Sequence, residues 1–227
     1  MYKEKKALLL DMNSTFMFGE DRFGENDDFS IYYNSINGKL AKDKLNQVIQ
    51  ASYKYLEDRY FDEKHRHNFP SVQEAIDKTL DAELSAEEIN KIISTFAFHE
   101  LGHIPHDFVK ILKTLKQRFI LSVVIDIWSA KHMWIETFEK SGINNLFSAS
   151  SFSSDHGMVK PSPKPFELVV SQLNLLKEDC LVIGDSVRRD LGGAMAAGID
   201  CILVGGAEDQ RARGCYSSLL EFSKDLQ

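Results

Sequence analysis

Four apolar residues, Ala7-Leu8-Leu9-Leu10, run without a break into a carboxylate, Asp11, and then into a short polar turn, Asn13-Ser14-Thr15. An apolar run of this length with polar boundaries fits a strand buried on both faces. Such strands belong to parallel sheets covered by helices, and open sheets of that class bind ligands just beyond the carboxyl ends of their strands. Asp11 thus either stands where the chemistry is done or is a solvated residue closing an N-terminal strand. The rest of the chain decides between the two.

A glycine- and acid-rich stretch, Phe18 to Asp28, reads as a loop. The period then turns helical: Leu45, Val48, Ile49, Ser52, Tyr53, Leu56 and Tyr60 follow the spacing of one amphipathic face. Ser71 with Glu74 and Ser85 with Glu88 are capping boxes opening two more helices. No strand signal interrupts residues 25–103, which read as an all-helical insert, leaving 1–24 and 104–227 as the core. From Pro105 on, helices and strands alternate. Strand-like runs occur at Phe119 to Ile125, Leu146 to Ala149, Leu181 to Ile183 and Cys201 to Val204. Helical stripes lie at Phe108 to Leu115, at Trp134 to Phe138 with Gly142 as the stop, and after Ser162-Pro163. Gly192 and Gly193 sit inside the helix before the last strand, where close packing on the sheet accounts for them. The expected class is α/β: a Rossmann-like parallel sheet core with an inserted all-helical cap.

A net charge of -7 and a pI near 5.5 argue against nucleic acid or an anionic membrane as partner. No apolar run approaches the roughly 20 residues of a bilayer span, and the four apolar residues after Lys6 are too short for a secretory signal core. Cys180, Cys201 and Cys215 are odd in number and widely spaced, as buried free thiols of a reducing compartment are. These features together give the expectation of a cytoplasmic protein; oligomeric state is left open.

Three further features fall at the ends of later strands: Asp126 and Ser129 after Ile125, Lys160 in Val159-Lys160-Pro161, and Gly184-Asp185-Ser186 with Asp190. If the sheet folds as read, Asp11, Asp185 and Asp190 converge with Lys160. Clustered carboxylates repel unless a cation holds them, and a hard divalent ion with oxygen ligands, most simply Mg2+, meets that need.

The ordered set Asp11-Met12-Asn13-Ser14-Thr15, Lys160-Pro161, Gly184-Asp185-Ser186 and Asp190, followed by Gly192-Gly193-Ala194-Met195-Ala196-Ala197-Gly198, resembles the haloacid dehalogenase superfamily. The helical insert is similar to the small cap of one of its subgroups. The resemblance implies a hydrolase acting on a small phosphorylated metabolite, with Asp11 as the nucleophile forming an aspartyl-phosphate. It implies Mg2+ held by Asp11, the backbone carbonyl of Asn13 and Asp185. Lys160 would neutralise charge on Asp11 and the transferring group, while Asp190 would act through a metal-held water or by orienting Lys160.

Two positions depart from the family pattern. Phosphatases of the family carry an aspartate two residues after the nucleophile as general acid/base. Asn13 has no proton to give there, so slow turnover, substrates with good leaving groups, or a donor among His65, His67, His99 and His103 are the alternatives. The hydroxyl residue expected at the end of the second strand is Ile125, followed by Asp126, with Ser129 as a substitute from the next loop. Other readings stay open. One is a 2-haloacid dehalogenase-like hydrolase with Arg22 clamping a carboxylate, and another a phospho-ligand binder with reduced turnover. The last is a zinc hydrolase built on His99-Glu100-Leu101-Gly102-His103, which matches H-E-x-x-H but meets Gly102 and Pro105 where the helix should continue.

Overall fold

The protein is described by a computed structural model that covers residues 2, 4–80 and 83–226. Six strands form one sheet: β1 (Ala7–Leu10), β2 (Ile120–Ile125), β3 (Phe147–Phe152), β4 (Cys180–Gly184), β5 (Asp200–Leu203) and β6 (Gly214–Cys215). Their order is β3-β2-β1-β4-β5-β6, and every adjacent pair is parallel. From β1 the chain passes to β2 on one side, while β4 closes the other. The strand order therefore reverses at β1, and a crevice opens beyond the ends of β1 and β4.

The apolar run at the N-terminus forms β1 because both faces of that strand are covered. Leu8 and Leu10 pack on one side with Leu121, Val123, Leu181 and Ile183. Ala7 and Leu9 pack on the other with Val124, Val182 and Leu203. Helices α5 (His106–Leu115), α6 (His132–Lys140) and α10 (Leu219–Lys224) close the first face through Leu112, Trp134 and Phe222. Helices α8 (Lys164–Leu173) and α9 (Gly192–Ala197) close the second through Phe166 and Ala194.

Between β1 and α5 lie four more helices: α1 (Ser30–Ser35), α2 (Lys42–Tyr60), α3 (Val72–Thr79) and α4 (Ala86–Glu100). The serine half of each predicted box forms, Ser71 accepting from the Glu74 amide at 3.1 Å and Ser85 from the Glu88 amide at 3.2 Å, while the Glu88 carboxylate turns to the Tyr33 hydroxyl and, at 2.6 Å, the Lys39 amide. These helices share an apolar cluster of their own, with Tyr33, Leu45, Leu56, Ile76 and Phe96 at its centre. Val159 and Trp128, from the loops at the carboxyl edge of the sheet, join that cluster. The two connectors to the sheet pair with each other: Phe18 and His103 exchange backbone hydrogen bonds of 2.9 and 2.8 Å.

Several details differ from the sequence reading. β3 starts one residue later than expected and runs three further, to Phe152. α1 and the two-residue β6 carry too little pattern to be predicted. α8 begins at Lys164, with Ser162 Oγ accepting from the Lys164 amide at 3.2 Å. A short helix, α7 (Ser153–His156), ends β3. Among the described residues no helix is long and apolar enough to cross a membrane. The three cysteines are free, Cys180 and Cys201 buried and Cys215 exposed.

Close packing explains Gly193 but not Gly192. A Cβ on Gly193 would lie 2.5 Å from the ring of Phe166, whereas one on Gly192 would make ordinary contact at 3.6 Å. Phe166 is buried and has little room to retreat. Gly193→Ala is therefore expected to lower stability by about 1–3 kcal/mol, despite the roughly 1 kcal/mol helix-propensity gain of alanine. Urea unfolding midpoints measure this, and a more stable variant would refute the packing account.

Candidate active site

β1 delivers Asp11 to the crevice. Its amide donates to the Ile183 carbonyl at 2.8 Å, which holds it beside the end of β4. Lys160 arrives from the segment before α8, only 2% exposed, with Nζ 2.5 Å from Asp11 and 2.7 Å from Asp190. Asp190 belongs to a single π-helical turn, Val187–Leu191, and its other oxygen accepts from the Ser186 amide at 3.0 Å. Gly184 is required beneath it, because a Cβ there would lie 2.3 Å from the Asp190 carboxyl carbon. Thr15 Oγ1 donates to Asp11 at 3.1 Å. The turn after β1 thus folds back onto its own carboxylate.

Burial would by itself push Lys160 toward neutrality, yet Asp11, Asp190 and Asp126 hold its pKa well above the ordinary lysine value. The ammonium is charged. Burial likewise pushes Asp11 up to about 7; Lys160 opposes the shift, and Asp190 and Asp185 add to it. Asp11, Asp185 and Asp190 each offer one oxygen within 4.8 Å of the others, the only such cluster of three among the described residues. Asp185 Oδ1 and Asn13 Oδ1 are buried without a hydrogen-bond partner. Orphaned acceptors beside converging carboxylates fit a hard divalent cation.

Residues 5–198 match the family model described as haloacid dehalogenase-like hydrolase. The chain belongs to this family. Among its relatives, pyrophosphatase PpaX of Halalkalibacterium halodurans is 27% identical over 54% of this chain and 59% of its own length. The chain spans between 26% and 76% of the length of the curated relatives it matches. Two solved structures share the fold. The magnesium-bound HAD-hydrolase YfnB of Bacillus subtilis has TM-score 0.63 at 20% identity, covering 98% of this chain and 99% of its own. The 2-haloacid dehalogenase of Pseudomonas syringae has TM-score 0.67 at 17% identity, covering 98% of each.

Of the residues that the family motifs single out, Asp11, Lys160, Asp185 and Asp190 come together, and Asn13 lies in the turn beside them. Asp126 also reaches the cluster, but as an acceptor, taking the Lys160 backbone amide at 3.0 Å and the Tyr60 hydroxyl at 2.6 Å. Ser129 does not reach it. Its amide donates to Glu100 at 2.9 Å and its hydroxyl is buried without a partner.

Arg22 is drawn into the protein itself: its guanidinium donates to the carbonyls of Gly19 at 2.6 Å, Leu101 at 2.8 Å and Phe98, so three of its five N–H groups tie the two connectors together. The zinc reading fails, because α4 ends at Glu100. His99 Nδ1 faces the Arg22 carbonyl at 3.2 Å, and His103 lies exposed beyond the helix. Of the other histidines weighed as donors, His67 sits 3.3 Å from Ser162 Oγ.

Sequence reasoning missed four groups. Thr15 and Tyr60 were in plain view at strand- and helix-end positions, without a signal for their partners. Arg189 pairs with Asp185 at 3.5 Å from inside the last motif. Glu100 is buried and accepts the Trp128 and Ser129 amides at 2.5 and 2.9 Å, tying the end of α4 to the loop after β2.

Burial, reinforced by Asp21, pushes Glu100 up to about 7. The folded state then holds its proton more tightly than the unfolded chain, so stability falls as pH rises from about 5 to about 7. Glu100→Gln is expected to flatten that slope in urea midpoints taken across this range. An unaltered slope would mean that Glu100 stays ionised throughout.

Proposed function

We propose that the protein is a Mg2+-dependent phosphatase acting on a small phosphorylated metabolite through an aspartyl-phosphate on Asp11. The observation that carries this reading is the pairing of Asp11 with a buried, charged Lys160 at the point where the strand order reverses. The helices of 25–103 serve as the cap over that point.

An oxygen of Asp11 attacks phosphorus, and the bond from phosphorus to the leaving-group oxygen breaks with its electron pair on that oxygen. Water then attacks the aspartyl-phosphate, releasing inorganic phosphate and restoring the carboxylate. Lys160 steadies the negative charge gathered between Asp11 and the phosphoryl group, as electrostatic catalysis of phosphoryl transfer requires. Asp190 holds Lys160 in place, and Thr15 and Lys160 each hold one oxygen of Asp11, which fixes the plane of the carboxylate. Asp11, Asp185 and the Asn13 carbonyl would hold Mg2+, which when bound neutralises phosphoryl charge. The absence of a proton donor at Asn13 directs the reaction to leaving groups that depart unaided, such as acyl or aryl phosphates. A pyrophosphatase among the relatives fits that preference.

The dehalogenase alternative loses its carboxylate clamp, since Arg22 is committed to backbone carbonyls.

Purified protein with Mg2+ is expected to release phosphate from p-nitrophenyl phosphate and acetyl phosphate, and to stop when the metal is chelated. Asp11→Asn should abolish release. No turnover of either compound would leave the phospho-ligand binder as the reading. Asn13→Asp is expected to raise the rate on an alkyl phosphate by roughly 10- to 100-fold, within the usual range for a general acid, with a smaller gain on acetyl phosphate. Equal gains on both would refute the role given to position 13.

A further inference from the structure

The phosphoryl-binding inventory of the crevice lacks a donor. β2 ends in the buried side chain of Ile125, and the Asp126 carboxylate beyond it accepts hydrogen bonds and offers none to an anion. Lys160 Nζ is already shared between Asp11 and Asp190. Four carboxylates, Asp11, Asp126, Asp185 and Asp190, gather near this one buried ammonium, so even with Mg2+ on Asp11 and Asp185 the phosphoryl oxygens would lack a free side-chain hydrogen-bond donor.

We propose that Arg189 grips the anionic oxygens of the phosphoryl group, replacing the hydroxyl that the end of β2 lacks; this deepens the phosphatase reading and rests on it. The Ser186 hydroxyl accepts from the Arg189 amide at 3.2 Å, which fixes where the side chain starts. The guanidinium lies 3.5 Å from Asp185 Oδ1, close enough for an ion pair. That oxygen nonetheless has no hydrogen-bond partner, so Arg189 has not committed an N–H to it. The side chain is 32% exposed, so solvent and a ligand can reach it.

Asp185 in turn offers an oxygen within 4.8 Å of Asp11 and Asp190, so the guanidinium that pairs with it borders the carboxylate cluster that holds the nucleophile. Its neighbour Arg188 lies instead over the rings of Phe61 and Tyr60, 4.8 and 5.8 Å from their centroids. A planar fork with unspent donors beside a nucleophilic carboxylate is the arrangement that arginine supplies for phosphate oxygens.

Inorganic phosphate serves as the probe, both as a competitive inhibitor of p-nitrophenyl phosphate hydrolysis and as a calorimetric titrant of the full chain with Mg2+. Arg189→Gln is expected to raise KM and the inhibition constant of phosphate together, by roughly 10- to 100-fold, as loss of charged hydrogen bonds does, with a smaller change in kcat. Arg188→Gln removes the same charge one residue away and should leave both constants within about two-fold of the wild type. Arg189→Lys, the conservative variant, should weaken phosphate several-fold because a point charge lacks the fork. It carries the test should the glutamine variant not fold.

Phosphate binding unchanged by either Arg189 variant would overturn the proposal, as would equal losses in the Arg188 and Arg189 variants. A wild type that binds phosphate but turns nothing over defeats the phosphatase reading alone. The calorimetric difference between wild type and Arg189→Gln then still decides the role of Arg189.

Discussion

A lysine ammonium buried to 2% exposure, in contact with two carboxylates, is the interaction on which the rest of this structure depends. Taking one such charge out of water costs several kcal/mol, and only close opposite charges with good geometry offset it. Lys160 meets that condition because three distant segments arrive together: the end of β1, the segment before α8 and the turn after β4. Each is fixed by something local, namely the Asp11 amide on β4, the Ser162 cap of α8 and the room left by Gly184. Removing the ammonium would strand two buried carboxylates. The parallel order with its reversal at β1 is what lets both flanks of that strand contribute.

The helical layer is bound to the same place. Val159 donates to the Arg66 carbonyl at 3.0 Å, Phe69 to the Gly157 carbonyl at 2.8 Å, and Tyr60 to Asp126. Every one of these ties ends on a loop at the carboxyl edge of the sheet, and two of those loops carry Asp126 and Lys160. Burial pushes the Tyr60 hydroxyl well above its ordinary pKa, so it remains a donor to Asp126.

What could be read from the sequence follows from how far apart the partners lie. The strands were legible because a strand covered on both faces must be apolar along its length, as Leu8, Leu9 and Leu10 are. The serine caps of α3 and α4 were legible because their partners are three residues apart. Asp11, Lys160, Asp185 and Asp190 were legible as an ordered set, since each follows a strand or precedes a helix. The tie made by Arg22 was not legible because its partner, the Leu101 carbonyl, is 79 positions away in the chain. His99 and His103 matched a pattern whose meaning requires a helix that the chain does not continue. Thr15, Tyr60, Glu100 and Arg189 have ordinary residue types at ordinary positions, and only the three-dimensional arrangement gives them partners.

Asn13 and Asp126 are best understood together. A carboxylate at the end of β2 would repel a phosphoryl group if it faced it bare, but both groups that contact Asp126 are donors pointing at one of its oxygens. Its negative charge is spent on holding the Lys160 backbone and the cap tyrosine, a positioning duty that a serine or threonine hydroxyl would perform less firmly. Asn13, meanwhile, keeps a carbonyl in the turn beside Asp11 while giving up the proton of an acid. The two substitutions move the site in one direction: the scaffold around Lys160 becomes more tightly tied, and proton transfer is left to the leaving group. Under the proposed chemistry, a site organised in this way would select its substrate by the stability of the departing oxygen and by the cations that meet the phosphate, more than by acid catalysis.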